Sequence, residues 1–141
     1  MTIYQLSIFL ENKYGKLNDI FALLSKEHIR IIAATVADTS EFGILRMIVS
    51  DAKKTHNLLK SNNVNVALTE VLAIISESTA GTIASTLNVF TKAGLSIEYM
   101  YCFSMKDKSF LILRVNNPEA AREVIRLNHL SYITENELIN L

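Results

Sequence analysis

Residues 8–31, IFLENKYGKLNDIFALLSKEHIRI, and residues 74–97, IISESTAGTIASTLNVFTKAGLSI, share one organisation. In each stretch an apolar extended segment is followed by a loop with glycine, an apolar-striped helix and a second extended segment. We call the separation from Gly15 to Gly81 the repeat spacing. The same spacing relates four further pairs: Leu6 and Leu72, Ile8 and Ile74, Leu17 and Ile83, and Ile31 and Ile97. It predicts two copies of one supersecondary unit.

A literal match further along the chain departs from the repeat spacing. Ile44-Leu45-Arg46 recurs as Ile112-Leu113-Arg114, two positions later than that spacing would place it. We therefore expect two extra residues in the polar turn Lys106-Asp107-Lys108-Ser109, where insertions cost little. This register predicts that Arg46 and Arg114 occupy equivalent places, on the sheet face away from the helices.

The helices are predicted from their apolar period and their first residues. Leu17, Ile20, Phe21 and Leu24 follow the spacing i, i+3, i+4, i+7, one apolar face of a helix. A second helix is expected to start after Asp51, a favourable N-cap residue. Its counterpart starts at Asn117-Pro118-Glu119, which offers an N-cap residue, a proline in the first turn and an acid beside the helix dipole.

Strands fill the remaining segments, at Arg30–Asp38, Phe42–Val49, Val64–Thr69 and Glu70–Glu77, with Asp38–Glu41 as a turn. The order βαββαβ, met twice, predicts an α+β fold of two ferredoxin-like units in tandem. Each has an antiparallel sheet with helices on one face. The expected domains are residues 1–69 and 70–141, with no Pro/Gly/Ser-rich linker between them.

The composition argues against some classes of binding partner. Half of the 141 residues are apolar, and 14 basic residues balance 14 acidic ones. The chain therefore has no net positive charge that would attract nucleic acid or anionic membranes. A single cysteine and no readable signal peptide favour the cytoplasm. Val71-Leu72-Ala73-Ile74-Ile75 is apolar on both faces of a strand, which predicts that the open sheet face packs on another copy in a dimer or larger assembly. Alternatively, the fused pair of units covers its own sheet faces.

The loop Glu11-Asn12-Lys13-Tyr14-Gly15-Lys16-Leu17 has features of a ligand site. It brings backbone N–H groups to a helix N-terminus, where the dipole favours an anion such as a carboxylate. Glycine allows a ligand to approach closely, and the Asn12 amide both donates and accepts hydrogen bonds. Alternatively, Gly15 only makes a tight turn.

Asn12-x-x-Gly15-x-Leu17 in a βαββαβ frame resembles the ACT domain, whose usual loop is Asp/Asn-x-Pro-Gly-x-Leu. Together with Ile29-Arg30-Ile31 and Thr35-Val36-Ala37, the segment is similar to the ACT half of acetolactate synthase regulatory subunits. The second loop, Ser78-Thr79-Ala80-Gly81-Thr82-Ile83, has serine in place of the acid or amide. Neither loop keeps the proline, since Tyr14 and Ala80 stand there.

The resemblance implies amino-acid binding at a seam between paired ACT units, where the loop of one unit meets the second strand of its partner. From the loops it implies Asn12, Tyr14, Gly15, Lys16, Leu17, Ser78, Thr79, Gly81, Thr82 and Ile83; from the second strands it implies Arg30, Ala33, Ser96, Glu98 and Tyr99. Glu98 is either a partner for an ammonium group or an ordinary solvated residue. Ser78 makes two equivalent sites doubtful.

The sequence gives little support to a metal site or an RNA-binding surface. His28, His56 and His129 lack metal-ligand spacing and are expected at the surface, and Cys102, without a CxxC partner, is expected to be buried. The aromatic residues Tyr99, Tyr101, Phe103 and Phe110 lack the pattern and basic surface of an RNA-recognition sheet and favour packing.

We therefore predict a non-catalytic amino-acid sensor without cofactor or metal, which regulates amino-acid metabolism, with a metabolic enzyme as a candidate partner. An enzyme is the first alternative, but no nucleophile–base pair, paired acids or cofactor loop supports it. The second alternative is a structural subunit or adaptor whose ligand sites are lost.

Overall fold

A computed structural model describes residues 1–11, 15–38 and 42–141. Six strands and five helices occupy this part of the chain: β1 Ile3–Glu11, α1 Lys16–Lys26, β2 Ile31–Asp38, β3 Phe42–Val49, α2 Ala52–Ser61, β4 Val66–Ser76, α3 Ala80–Lys92, β5 Ile97–Met105, β6 Lys108–Val115, α4 Pro118–Leu127 and α5 Glu135–Ile139. They form two compact units, an N-terminal unit of Tyr4–Thr69 and a C-terminal unit of Glu70–Leu141 with Met1–Ile3. The domain limits 1–69 and 70–141 stay a prediction.

The N-terminal unit is a βαββαβ unit whose sheet has the order β2-β3-β1, followed by the first residues of β4. β3 pairs antiparallel with both β1 and β2. The Phe9 N–H donates to the carbonyl oxygen of Asn65 over 3.0 Å, where the chain enters β4. Both helices pack on one face, around a core that includes Leu6, Ile8, Leu24 and Leu59.

The C-terminal unit repeats this plan with the strand order β4-β6-β5. Its last strand is reduced to a short bridge, in which Tyr132 pairs antiparallel with Ile74. The core on the helix side is built from Leu72, Ile74, Phe90 and partners on β6 and α4. The fold prediction of two ferredoxin-like βαββαβ units in tandem is confirmed.

The predicted helix starts at Asp51 and Asn117 are also confirmed. The Asp51 carboxylate accepts the Lys54 N–H over 3.0 Å, and the Asn117 side-chain oxygen accepts the Ala120 N–H over 3.1 Å. Each satisfies a backbone donor that the helix itself leaves without a partner.

The strand pairing keeps the repeat spacing throughout, so the expected two-residue insertion is wrong. Leu6 pairs with Met47, and its counterpart Leu72 pairs with Leu113, which stands one repeat spacing after Met47. The bulge near Ile31 in β2 recurs near Ile97 in β5. Backbone pairing fixes the register, and the repeated Ile-Leu-Arg triplet is a coincidence of composition.

The two arginines are therefore not equivalent. Arg46 corresponds to Ile112, and Arg114 corresponds to Ile48. The true register differs from the expected one by two residues. Because side chains alternate along a strand, a shift of two residues leaves both arginines on the face away from the helices. The predicted sheet face is therefore correct, and the prediction that Arg46 and Arg114 occupy equivalent places is wrong.

Two strands were predicted where one exists. Val64–Thr69 and Glu70–Glu77 were expected as separate strands, but β4 runs without interruption from Val66 to Ser76. No glycine or proline stands at this junction to turn the chain. One strand therefore begins in the N-terminal unit and ends in the C-terminal unit.

The sheet face away from the helices is already buried in one chain at several apolar positions. Ile48 is 1% exposed and Ile112 is 0% exposed. This face does not by itself require a second copy, although the expected dimer stays a prediction.

Helix α5 is an addition that the repeat did not predict. Thr134 and Glu137 form a reciprocal capping box at its start. Hydrogen bonds from the backbone N–H and hydroxyl of Thr134 lower the pKa of the Glu137 carboxyl.

Candidate functional site

The loop between β1 and α1 ends in a glycine with an unusual backbone. Gly15 is the N-cap residue of α1 and has the left-handed angles φ 80° and ψ −5°. Among the described residues no side chain caps this helix. Its first N–H groups, beginning with that of Lys16, stand at the positive end of the helix dipole. Asn12 and Tyr14 lie outside the described residues.

The corresponding loop of the C-terminal unit is closed by its own side chains. Helix α3 begins at Ala80, so Gly81 lies within its first turn. The Thr79 hydroxyl accepts the Thr82 N–H over 3.2 Å and lies 2.7 Å from the Thr82 hydroxyl. Ser78 is exposed, and Ile83 packs partly against the core. The N–H of Thr82 is therefore capped at α3, whereas no described side chain caps the start of α1.

The two glycines should respond differently to alanine. Gly15→Ala is expected to destabilise the chain by about 1–2 kcal/mol, because a Cβ is disfavoured in left-handed backbone, although no atom of the described residues lies within 4 Å of it. Gly81→Ala is expected to be neutral or to stabilise by up to about 1 kcal/mol, since alanine favours the helix. Urea denaturation of both variants checks this, and equal losses would contradict the assigned backbones.

Arg30 and Ser96, which the repeat spacing makes equivalent, hold the start of each second strand. The Arg30 N–H donates to the Ser50 hydroxyl, and the Ser96 N–H donates to the Asn116 side chain, both over 3.0 Å. Each of their carbonyl oxygens in turn accepts the backbone N–H of that same partner. Their backbones thus fasten the second strand to the end of the third.

The remaining strand candidates have partners within their sheets. Ala33 pairs with Ile48, and Tyr99 pairs with Arg114. The Glu98 carboxylate lies 3.3 Å from Nε of Arg114, which also donates to the carbonyl oxygen of Glu70 over 2.9 Å. Glu98 is thus half of a partly exposed ion pair, and a role toward a ligand's ammonium group stays a prediction.

Within one unit, helix α1 separates the described end of the loop from the start of the second strand. Gly15 precedes α1 and Arg30 follows it, and the 11 residues of α1 span about 16 Å. The same holds around α3, whose 13 residues span about 20 Å. The seam site between two units that the resemblance implies stays a prediction.

A cavity of about 610 Å³ lies within the N-terminal unit, next to Glu11 at the end of β1 and Lys16 at the start of α1. Among the described residues, Lys16 is the one predicted loop residue that lines it. The other lining residues come from the end of β1, the side of α1, the start of β3 and the connection from α2 to β4; they are Phe9, Leu10, Glu11, Asp19, Ile20, Ala22, Leu23, Lys26, Phe42, Asn62, Asn63, Val64 and Asn65. None of these residues was predicted as a site residue from the sequence. Three asparagines within residues 62–65 were a signal, but only the fold brings them beside α1.

Cys102 is exposed, so its expected burial is wrong. It lies on β5, where exposed residues alternate with half-buried ones. His28 and His129 are exposed as expected and have left-handed backbones after α1 and α4, whereas His56 is half-buried. Phe103 stacks on Phe110 with ring centroids 5.3 Å apart, which is the predicted packing role.

Two features are absent from residues 1–11, 15–38 and 42–141, namely a helix able to cross a membrane and a cluster of metal-ligating side chains. No helix there has both the length and the apolar character needed to cross a membrane. No three His, Cys, Asp or Glu side chains gather in that part of the chain in a group that could hold a metal ion.

A family model described as "ACT domain pair" matches residues 1–141, the whole chain. The chain belongs to this family. A search of curated proteins finds no match to this ACT domain pair.

Solved structures agree with the assignment of this ACT domain pair. Protein BT0572 from Bacteroides thetaiotaomicron is 36% identical, with a TM-score of 0.94 over 100% of this chain and 98% of that one. The regulatory subunit of aspartate kinase from Thermus thermophilus, in a ligand-free form, is 16% identical, with a TM-score of 0.65 over 89% and 90%. Aspartokinase α and β subunits are 12% identical, with a TM-score of 0.61 over 98% and 93%. The last two share the fold.

Proposed function

We propose that this ACT domain pair is a non-catalytic regulatory sensor that binds an amino acid at the β1–α1 loop of its N-terminal unit. The observation that carries the proposal is the difference between the two loops. Gly15 leaves the N-terminus of α1 without a side-chain cap among the described residues, whereas Thr79 occupies a backbone donor of α3. A ligand carboxylate is a suitable partner for the N–H groups of α1.

The family and the chemistry of the loop support the same ligand class. ACT domain pairs have the fold of the aspartate kinase regulatory subunit, which is a regulatory protein by its own description. Binding that favours one arrangement of the chain or of its assembly over another would transmit the signal. A metabolic enzyme as partner, a dimer or larger assembly, and a cytoplasmic location are parts of this proposal. Light scattering against the 15.8 kDa of one chain checks the assembly.

A subunit or adaptor without a ligand site is the second candidate. The closed cap at Thr79 favours it for the C-terminal unit. The same observation does not extend to the N-terminal unit, whose loop lacks such a cap among the described residues.

A thermal-shift screen against the twenty amino acids separates the two candidates. The sensor is expected to show a rise in Tm with one or a few of them. At a concentration of about 100 times Kd, binding adds about 2.7 kcal/mol, or about 5–10 °C for a chain of this size. No shift with any amino acid would contradict the sensor and favour the adaptor.

A further inference from the structure

We propose that the N-terminal unit binds an apolar carboxylate without an ammonium group, on the face of its sheet away from the helices. The site is the donor row, which we define as the half-buried residues Ser7, Thr35, Arg46 and Thr69. Thr35 pairs with Arg46, and Arg46 pairs with Ser7, so these three side chains stand side by side on one sheet face. The site is independent of the proposed function, because α1 packs on the opposite sheet face.

The hydroxyl groups of the donor row have more hydrogens than the described part of the chain uses. The Ser7 and Thr69 hydroxyl oxygens lie 3.0 Å apart, and Nε2 of Gln5 donates to the Ser7 oxygen over 3.2 Å. Two hydroxyls joined by one hydrogen bond use one of their two hydrogens, so this pair keeps one donor for a third partner. Among the described residues, the Thr35 hydroxyl has no hydrogen-bond partner. The donor row can therefore donate at least two hydrogen bonds to a ligand.

Arg46 adds a permanent positive charge to the donor row. It has another interaction within the described part of the chain, and its guanidinium has five N–H donors, enough for several partners. In the two neighbouring rows of the register the paired residues are all apolar, namely Ala33 and Ile48 on one side and Ala37, Ile44 and Phe9 on the other. An anion on the donor row thus meets a cation and hydroxyl donors, and a carboxylate suits a guanidinium well.

Exposed aromatic rings follow the donor row on the same sheet face. Phe9 is 48% exposed and Phe42 is 51% exposed. Ser7 and Phe9 are two residues apart on β1, so about 7 Å separates their Cα atoms. A small molecule can therefore place its carboxylate on the donor row and its apolar body against the Phe9 ring, which removes apolar surface from water.

The position of Glu11 excludes the ammonium group. Glu11 stands opposite Phe42 on this face, four residues beyond Ser7 and about 13 Å away along the strand. An α-amino acid whose carboxylate lies on the donor row cannot reach that acid with its ammonium group, which would then lie beside the charge of Arg46. The ligand class is therefore an aryl or alkyl carboxylate rather than an amino acid.

The C-terminal unit lacks the donor row at the equivalent positions. By the repeat spacing, Ala73 stands for Ser7, Tyr101 for Thr35, and Ile112 for Arg46. Ala73 is 1% exposed and Ile112 is 0% exposed, so two of these positions are apolar and buried. We therefore expect one such carboxylate per chain.

The test is an NMR titration of the ¹⁵N-labelled chain with 3-phenylpropanoate and, separately, with its uncharged amide, 3-phenylpropanamide. The carboxylate is expected to bind with a Kd of about 0.1–1 mM and to shift the backbone amide signals of Ser7, Thr35 and Arg46. The amide is expected to bind at least about tenfold more weakly, because it lacks the charge that Arg46 attracts.

Three variants locate the carboxylate. Thr35→Val keeps the shape of the side chain and removes only the hydroxyl, so it should fold normally and weaken binding about three- to tenfold. Arg46→Gln should weaken it about ten- to a hundredfold, since a charged partner is lost. Val36→Ala is the control, because Val36 pairs with the core residue Leu45 and so faces the other side of the sheet; it should stay within about twofold. Melting curves of each variant report folding.

Other results would overturn the inference. Absence of signal shifts with 3-phenylpropanoate at millimolar concentration would remove the site. Equal affinities for the carboxylate and the amide would contradict the role of the donor row, as would an unchanged affinity in folded Thr35→Val. Shifts confined to α1 and α2 would place the ligand on the opposite sheet face. Each of these outcomes leaves the proposed amino-acid site at the β1–α1 loop untouched, since that site is tested with a different ligand.

Discussion

Phe90→Ala is expected to lower the free energy of unfolding by about 3–5 kcal/mol, the usual cost of truncating a buried aromatic residue. Phe90 is 0% exposed and lies in the core between α3 and the sheet of the C-terminal unit. Its carbonyl oxygen also accepts the N–H groups of Ala93 and Leu95, which end the helix, but alanine keeps that backbone. A loss of this size approaches the whole stability of a small domain.

The repeat supplies a comparison for this variant. Leu24, the equivalent residue of the N-terminal unit, is 1% exposed, and Leu24→Ala is expected to cost about 2–5 kcal/mol. Leu127, which is 61% exposed, serves as the control, and Leu127→Ala should change stability by less than about 0.5 kcal/mol. Urea denaturation followed by circular dichroism measures all three. A loss below about 1 kcal/mol at Phe90 would contradict the assigned core.

Asn12→Ala is expected to weaken amino-acid binding by about ten- to a hundredfold. Losing a hydrogen bond to a charged group costs about 1.5–3 kcal/mol. This expectation rests on the resemblance of the loop to the ACT motif, since Asn12 lies outside the described residues. Ser78→Ala should change the affinity by less than about threefold, because Thr79 already closes that loop. Equal losses in the two variants would indicate two equivalent sites, and no loss at Asn12 would leave the loop as only a turn.

Much of the fold could be predicted from periodicity and capping residues. The repeat spacing set by Gly15 and Gly81 indicates two copies of one unit, and Asp51 and Asn117 begin helices where their side chains predict it. These features are local, since a cap or an apolar stripe acts within a turn or two of its own position.

The predictions failed where pairing between residues far apart in the chain decides the structure. The Ile-Leu-Arg triplet suggested an insertion, but register follows from which strands pair, which a three-residue match does not encode. Cys102 sits in an apolar stretch, but the strand alternation turns it outward. The short helix α5 follows the repeat and has no counterpart from which to predict it.

In the candidate site too, local features could be predicted from the sequence, whereas contacts between distant elements could not. The glycine loop is readable from sequence because left-handed backbone favours glycine. The cavity is not readable, since Asp19, Phe42 and Asn65 come from three separate elements that only the folded chain brings together. Arg30 and Glu98 were selected by resemblance, and contacts within their own unit explain their positions without a ligand.

Calorimetric titration of the unmodified chain with the amino acid found in the screen tests the central claim most directly, because it reports both binding and the number of sites. We expect saturable binding with one amino acid per chain, at the β1–α1 loop of the N-terminal unit. Two equivalent amino acids per chain, or no binding heat with any of the twenty at millimolar concentration, would contradict it.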